Sequence, residues 1–271
     1  MKNFILLLFA FLCCTGIYAQ KHKKNYTPQE LAATADEIKQ EGLQLYRSEK
    51  ASWVATDMFF DNHIDTGNIG GYFSYPEGAS YTKCVFYSRG EKPSAVFTVV
   101  FNGVFSPEKA IVDVAHRPFT PTEETYYLLR KLTMDTIANG DDFTTYEQTR
   151  FNVIPLLRDG KKYVYIITAS AASGVIAYGN DYRILFDGAM HISSVERLHK
   201  GLITMKYGQG QKMGTSYHTH LGGYSLFPTP TDICTAMLYA DICHADKLLV
   251  LSAAGYTSVW SCKDHTLQIG K

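Results

Sequence analysis

The sequence predicts a mixed α+β fold, a predominantly antiparallel sheet with flanking helices, and three observations predict it. Threonine-proline pairs followed by an acidic residue open amphipathic runs, as helix starts do. Short runs of β-branched and aromatic residues separated by glycine and polar turns read as strands. Asp159-Gly160 lies between two apolar runs, which is hairpin chemistry and makes the flanking strands antiparallel.

The first nineteen residues read as a leader rather than as part of the fold. Lys2 supplies a positive start, Phe4 to Phe11 is apolar throughout, and Ile17-Tyr18-Ala19 places a small residue before a cut near Gln20. Together these describe a secretory signal peptide and a secreted or periplasmic protein. No other apolar run reaches the roughly 18 to 20 residues of a membrane span, so no integral membrane segment is expected in the mature chain.

The first helix is opened by Thr27-Pro28-Gln29-Glu30 and carried by Leu31, Ala35, Ile38 and Leu45 over 28–48. Candidate strands follow at Ser52–Phe59, Gly71–Tyr75, Lys83–Ser88 and Ala95–Asn102, the last apolar nearly throughout, as a strand covered on both faces would be. Asp61, His63 and Asp65 form a polar cluster that reads as a solvated turn. Thr120-Pro121-Thr122-Glu123 opens a second helix, predicted over 122–138 and ended by Asn139-Gly140-Asp141-Asp142. A loose boundary at that point separates an N-terminal α+β region, 20–140, from a second half, 141–271.

Strands are predicted in the second half at Arg150–Leu157, Tyr163–Ser170, Gly174–Phe186 with a bend at Gly179-Asn180-Asp181, and Gly201–Tyr207. A strand ending in Tyr217–His220, a helix over Pro230–Tyr239 and a hairpin of Lys247–Ser252 with Tyr256–Cys262 close the chain.

Composition narrows the function classes. The 26 basic residues balance 26 acidic ones, which removes the electrostatic reason to expect nucleic acid as a partner. The 46% hydrophobic content fills a core without disulfides. Cys84, Cys234, Cys243 and Cys262 remain after export, with three full pairings open to them, and no Cys-x-x-Cys pair forms a thiolate metal site. The 19 tyrosines suit β structure, and alternatively a surface that faces carbohydrate or peptide.

The chemistry concentrates in residues 212–239. In an extended strand His218 and His220 point to the same side and offer two imidazoles to one ion. Thr229-Pro230-Thr231-Asp232 then opens a helix and returns Asp232 to the histidines as a third ligand. The same four residues are also a sufficient helix cap with Thr229 as N-cap, which needs no metal.

The order Gly-Thr-x-x-His-x-His, loop, Thr-x-x-Asp, helix, strand resembles the JAB/MPN group of zinc proteins and their JAMM motif, over roughly the C-terminal 110 residues. The resemblance implies a JAB/MPN-like C-terminal domain with zinc held by His218, His220, Asp232 and a water. It implies Thr229 as the motif's hydroxyl residue, orienting the helix start or an oxyanion, and hydrolysis of an amide or isopeptide bond in peptide or cell-wall material. Such a hydrolase needs a carboxylate beside the metal-bound water. The interval 163–173, where the family carries its glutamate, holds no acid; Glu147, Asp181 and Glu196 flank it. Glu196 sits beside Arg197 and His199, as a surface ion pair would. The alternative expectation is a non-catalytic binding or scaffold protein of the cell envelope.

Overall fold

The computed structural model describes residues 25–62, 66–208 and 212–271. Three helices and four mostly antiparallel sheets make up an α+β fold, the predicted class. The expected leader, and His63 and Asp65 of the polar turn, lie outside the described residues; Asp61 is exposed at the end of the first helix.

Helix α1 (Pro28–Asp61) starts in a capping box. Glu30 N–H donates to Thr27 Oγ1 at 3.2 Å, and Thr27 N–H donates to the Glu30 carboxylate at 2.8 Å. The helix continues through Ser52–Phe59, the segment whose aromatic and β-branched content predicts a strand. Spacing explains the difference. Ala51, Ala55, Met58 and Phe59 recur at three- and four-residue intervals and are buried with Phe86 and Phe97, so packing overrides local propensity.

Strands β1 (Ile69–Glu77), β2 (Tyr81–Ser88), β3 (Ala95–Asn102) and β4 (Ile111–Asp113) form one antiparallel sheet in chain order. Helix α2 (Pro121–Asn139) opens in a second capping box, made by Thr120 and Glu123. Strands β5 (Thr149–Arg158) and β6 (Lys161–Ser170) form the predicted hairpin. Asp159 and Gly160 both take positive φ, 52° and 73°, as a two-residue turn with right-handed strand twist requires.

The apolar run predicted as one strand from Gly174 to Phe186 is two strands in different sheets, β7 (Val175–Gly179) and β8 (Tyr182–Phe186). The chain breaks at Gly179 and Asn180, whose φ values of 83° and 54° are left-handed and cannot continue a ladder. β8 pairs with β6 and with β9 (Ile192–Arg197), while β7 pairs with β10 (Leu202–Lys206).

The last sheet contains the one parallel pair among these strands. β11 (Gly214–His220) runs parallel to β12 (Ala245–Ser252), and helix α3 (Pro230–Cys243) crosses between them. β13 (Thr257–Ser261) and β14 (Thr266–Gly270) extend that sheet antiparallel. Strands β4 and β9 escape the sequence pattern because they expose nearly all of their residues and so carry little apolar alternation, whereas β14 alternates Leu267 and Ile269 with polar neighbours over only five residues. The four cysteines are buried free thiols; Cys234 lies on α3, packed as the small apolar residue its position suggests.

Helix α3 is buried on every side from Pro230 to Leu238. Helix α1 reaches its first turn through Gly42, where an added Cβ would lie 2.6 Å from Ile233 Cβ and 3.0 Å from the Pro230 carbonyl oxygen. Glycine in a helix interior is unfavourable by about 0.5–1 kcal/mol relative to alanine, so its presence here reflects the close approach. Gly42→Ala is expected to reverse that propensity gain and destabilise the chain by about 1–3 kcal/mol through overpacking. The readout is a lower denaturation midpoint at unchanged m-value; a raised midpoint would show that the two helices separate without strain.

Candidate metal centre

Strand β11 alternates strictly. Ser216, His218 and His220 are buried while Tyr217 and Thr219 between them are exposed, so both imidazoles enter the interior on one face. The first turn of α3 brings Asp232 to them. His218 Nε2 and His220 Nε2 are 3.2 Å apart; Asp232 Oδ1 lies 3.1 Å from the former and Oδ2 3.3 Å from the latter. The three residues singled out in the sequence therefore converge.

A fourth side chain joins them. His199, in the link between β9 and β10, places Nε2 3.2 Å from His220 Nε2 and 3.3 Å from Asp232. The expectation of a surface ion pair with Glu196 and Arg197 is corrected: His199 is buried, Glu196 pairs with Arg183 at 2.7 Å, and Arg197 Nε donates to the His199 carbonyl at 3.0 Å. The left-handed break at Gly179 and Asn180 explains the placement. Beyond it, Asn180 N–H donates to the Gly201 carbonyl at 2.9 Å and Leu198 N–H to the Asp181 carbonyl at 2.8 Å, which straps 198–201 beside 179–181. Gly179 is required there, since a Cβ would meet the Gly201 carbonyl oxygen at 2.4 Å. No spacing rule links His199 to the His-x-His pair; the apolar run's glycine-asparagine break is the only local hint of its route.

Outer contacts orient the donors. His220 Nδ1–H donates to the Ser225 carbonyl at 3.2 Å, which assigns that tautomer and leaves Nε2 to face the cluster. The Asp181 carboxylate stands 3.4 Å from His199 Nδ1, an ionic contact longer than a hydrogen bond. Asp181 is itself fixed by Thr231 Oγ1 at 2.7 Å and Thr168 N–H at 2.9 Å. The capping reading of Asp232 holds as well: Oδ2 accepts from Thr229 N–H at 2.7 Å and Thr229 Oγ1 at 2.9 Å. Thr229 is engaged inside the cap and does not line the neighbouring cavity.

The residues fit a cation. Asp232 Oδ1 is close to His218 Nε2 yet lacks hydrogen-bonding geometry, so it is a buried acceptor with no hydrogen-bond partner, aimed at the imidazoles. Such an orphan is costly unless an ion meets it. Donors held at about 2.0–2.1 Å around a tetrahedral ion lie about 3.3 Å from one another. The spacings above run from 3.1 to 3.3 Å, and all four residues offer donor atoms within 4.8 Å of each other. His199, His218, His220 and Asp232 can together hold a metal ion.

A cavity of about 400 Å³ opens onto the three imidazoles, walled by Gly179, Leu202, Ile203, Leu221 and Tyr224 with Lys200 at its edge. No carboxylate is among the described residues that line it. Asp181 lies on the far nitrogen of His199, Glu147 is exposed in the turn before β5, and Glu196 is exposed on β9. No family model, curated protein or solved structure matches the chain.

Charge in the cluster is strongly coupled. Burial by itself would raise the Asp232 carboxyl, but His199 and His218 beside it hold it well below the usual range. Burial would lower His199, yet the Asp232 and Asp181 carboxylates hold it up, at about 10. In the metal-free chain the raised histidine contributes stability that is fully present below about 6.5 and lost as pH climbs through about 10. Metal uptake has the opposite slope, because a divalent ion must displace that proton. The Tm rise produced by loading is therefore expected to be larger at about pH 8 than at about pH 6, checked by thermal unfolding with and without divalent ion; an equal rise at both would overturn the proton displacement.

Proposed function

We propose that this chain is an exported zinc-binding protein with a JAB/MPN-like C-terminal half, in which His199 completes a four-residue centre that binds rather than hydrolyses. The reading rests on one observation, the convergence of three imidazoles and one carboxylate, with donor atoms within 4.8 Å of one another, beside a cavity. Three imidazoles with one carboxylate suit zinc, which accepts nitrogen and oxygen donors in four-coordinate sites. Zinc would supply Lewis acidity and a cross-link.

The chain's own residues argue against water activation. Structural zinc sites use four protein ligands, whereas hydrolytic ones keep a position open and place a carboxylate within reach of it. Here a third histidine occupies the position that the JAMM pattern leaves to water, and the acids near the site sit behind it or in solvent. The cavity favours a second reading, since it gives a peptide or cell-wall group access to three of the four donors. In that reading His199 leaves the ion when a substrate enters.

Purified protein is expected to carry about one zinc per chain and to lose it in the His218→Ala, His220→Ala double variant. Stoichiometric zinc surviving in the double variant would remove these residues from the site. Asp181→Asn, which removes the charge behind His199 and one of the two acceptors that Thr168 and Thr231 use, is expected to weaken zinc binding by about 10–100-fold in a chelator competition. The zinc-loaded chain is expected to show no turnover of amide, isopeptide or cell-wall peptide substrates; measurable turnover that survives His199→Ala and disappears in the His218→Ala, His220→Ala double variant would establish the hydrolytic reading instead.

A further inference from the structure

Strand β7 separates two environments. Tyr178 and Gly179 border the metal cavity, while the preceding Ala177, with Thr235 and Leu238 of α3, lines a different cavity of about 540 Å³. Its remaining wall comes from the middle of α1 and from β5 and β6, and none of the four metal donors borders it. It is therefore a separate compartment with its own side chains.

Two kinds of surface meet there. One is aromatic: Trp53 is 39% exposed, its ring centroid lies 6.0 Å from Tyr239, and the Tyr239 ring lies 6.2 Å from Tyr207. The other is planar and polar. Glu49 accepts from Asn152 Nδ2 at 2.6 Å, and Arg150 precedes Asn152 by two on β5, on the same strand face. Burial pushes the Glu49 carboxyl up to about 7, with the Asn152 donor only partly offsetting it. A carboxyl in that condition serves as donor and as acceptor near neutral pH.

A sugar ring asks for this combination. Its C–H face is apolar and lies flat against aromatic rings, while its hydroxyls both donate and accept in the ring plane. The carboxyl, amide and guanidinium of Glu49, Asn152 and Arg150 present paired, planar partners for adjacent hydroxyls. Asp57 and Arg150 on the same lining carry opposite charges, which suits a neutral ligand. The geometry points to a second binding site, for a neutral saccharide, in the cavity between α1 and α3, further along α3 than the metal cluster and bordered by none of its donors.

The site carries its own probe, because the sequence has two tryptophans and the other, Trp260, is fully buried. The zinc-loaded full chain would be titrated with tetrasaccharides derived from cellulose, chitin and starch, and with tetra-alanine as a peptide. Fluorescence and calorimetry would be read together. At least one saccharide is expected to give a saturable fluorescence change and heat at concentrations up to about 10 mM. Trp53→Ala, a change at a partly exposed position, should weaken that heat-detected binding by about tenfold. Glu49→Gln should weaken it several-fold. Absence of heat from every saccharide, binding of tetra-alanine alone, or undiminished binding by Trp53→Ala would overturn the assignment.

Discussion

The two oxygens of Asp232 hold different parts of the molecule, and the C-terminal half is arranged around keeping both buried. Oδ2 closes the capping box that starts α3 and lies 3.3 Å from His220 Nε2, while Oδ1 faces His199 and His218. A buried carboxylate without a compensating cation costs several kcal/mol, so something positive must sit among His199, His218 and His220. In the metal-free chain that is the proton His199 retains; in the loaded chain it is the ion. Two segments that are separate in the chain, the link carrying His199 and strand β11, are thus bound to the first turn of one helix by a single charge.

That turn is rigidly supported. α3 is enclosed on all sides, with α1 pressed against its start at Gly42 and strands β7 and β12 packed against it. Helix α1 contributes to three of the buried clusters: Ala35 packs with Ile233 and Trp260, Leu45 with Ile154 and Cys234, and Ala51 to Phe59 with the first sheet. A donor set carried by strand tips and a packed helix start keeps its spacing because few backbone torsions there are free to move. The same helix carries Asp232 in its first turn and walls the aromatic cavity beside Trp53 with Thr235, Leu238 and Tyr239.

The difference between a hydrolytic and a binding centre comes down to what surrounds the ion. A water-activating site needs an open coordination position and an acid facing it. Here the residues facing inward are imidazoles, and Asp181, the nearest further acid, is turned to the outer nitrogen of His199 and anchored by Thr168 and Thr231. An acid in that place tunes and orients a ligand. It is too far round the ring to handle a proton at the ion.

Much of this was readable from local rules. Each of the three helices begins with a threonine, a proline and an acid three residues after the cap, and each forms the capping box that this order implies. His218 and His220 share a face because a strand has period two, and Asp232 follows because a cap places it one turn in. Ser52–Phe59 departs from its expected strand because its residue types favour strands while its burial has helical spacing; β4 and β9 leave no apolar pattern because they are exposed, and β14 alternates Leu267 and Ile269 over too short a run to stand out. Residue type and near-neighbour spacing thus determined the fold class, the helix starts and three of the four donors. The tertiary structure alone decided the fourth, because His199 reaches the cluster only through backbone hydrogen bonds between Asn180 and Gly201 and between Leu198 and Asp181, and pairings between distant segments leave no periodic trace in the chain.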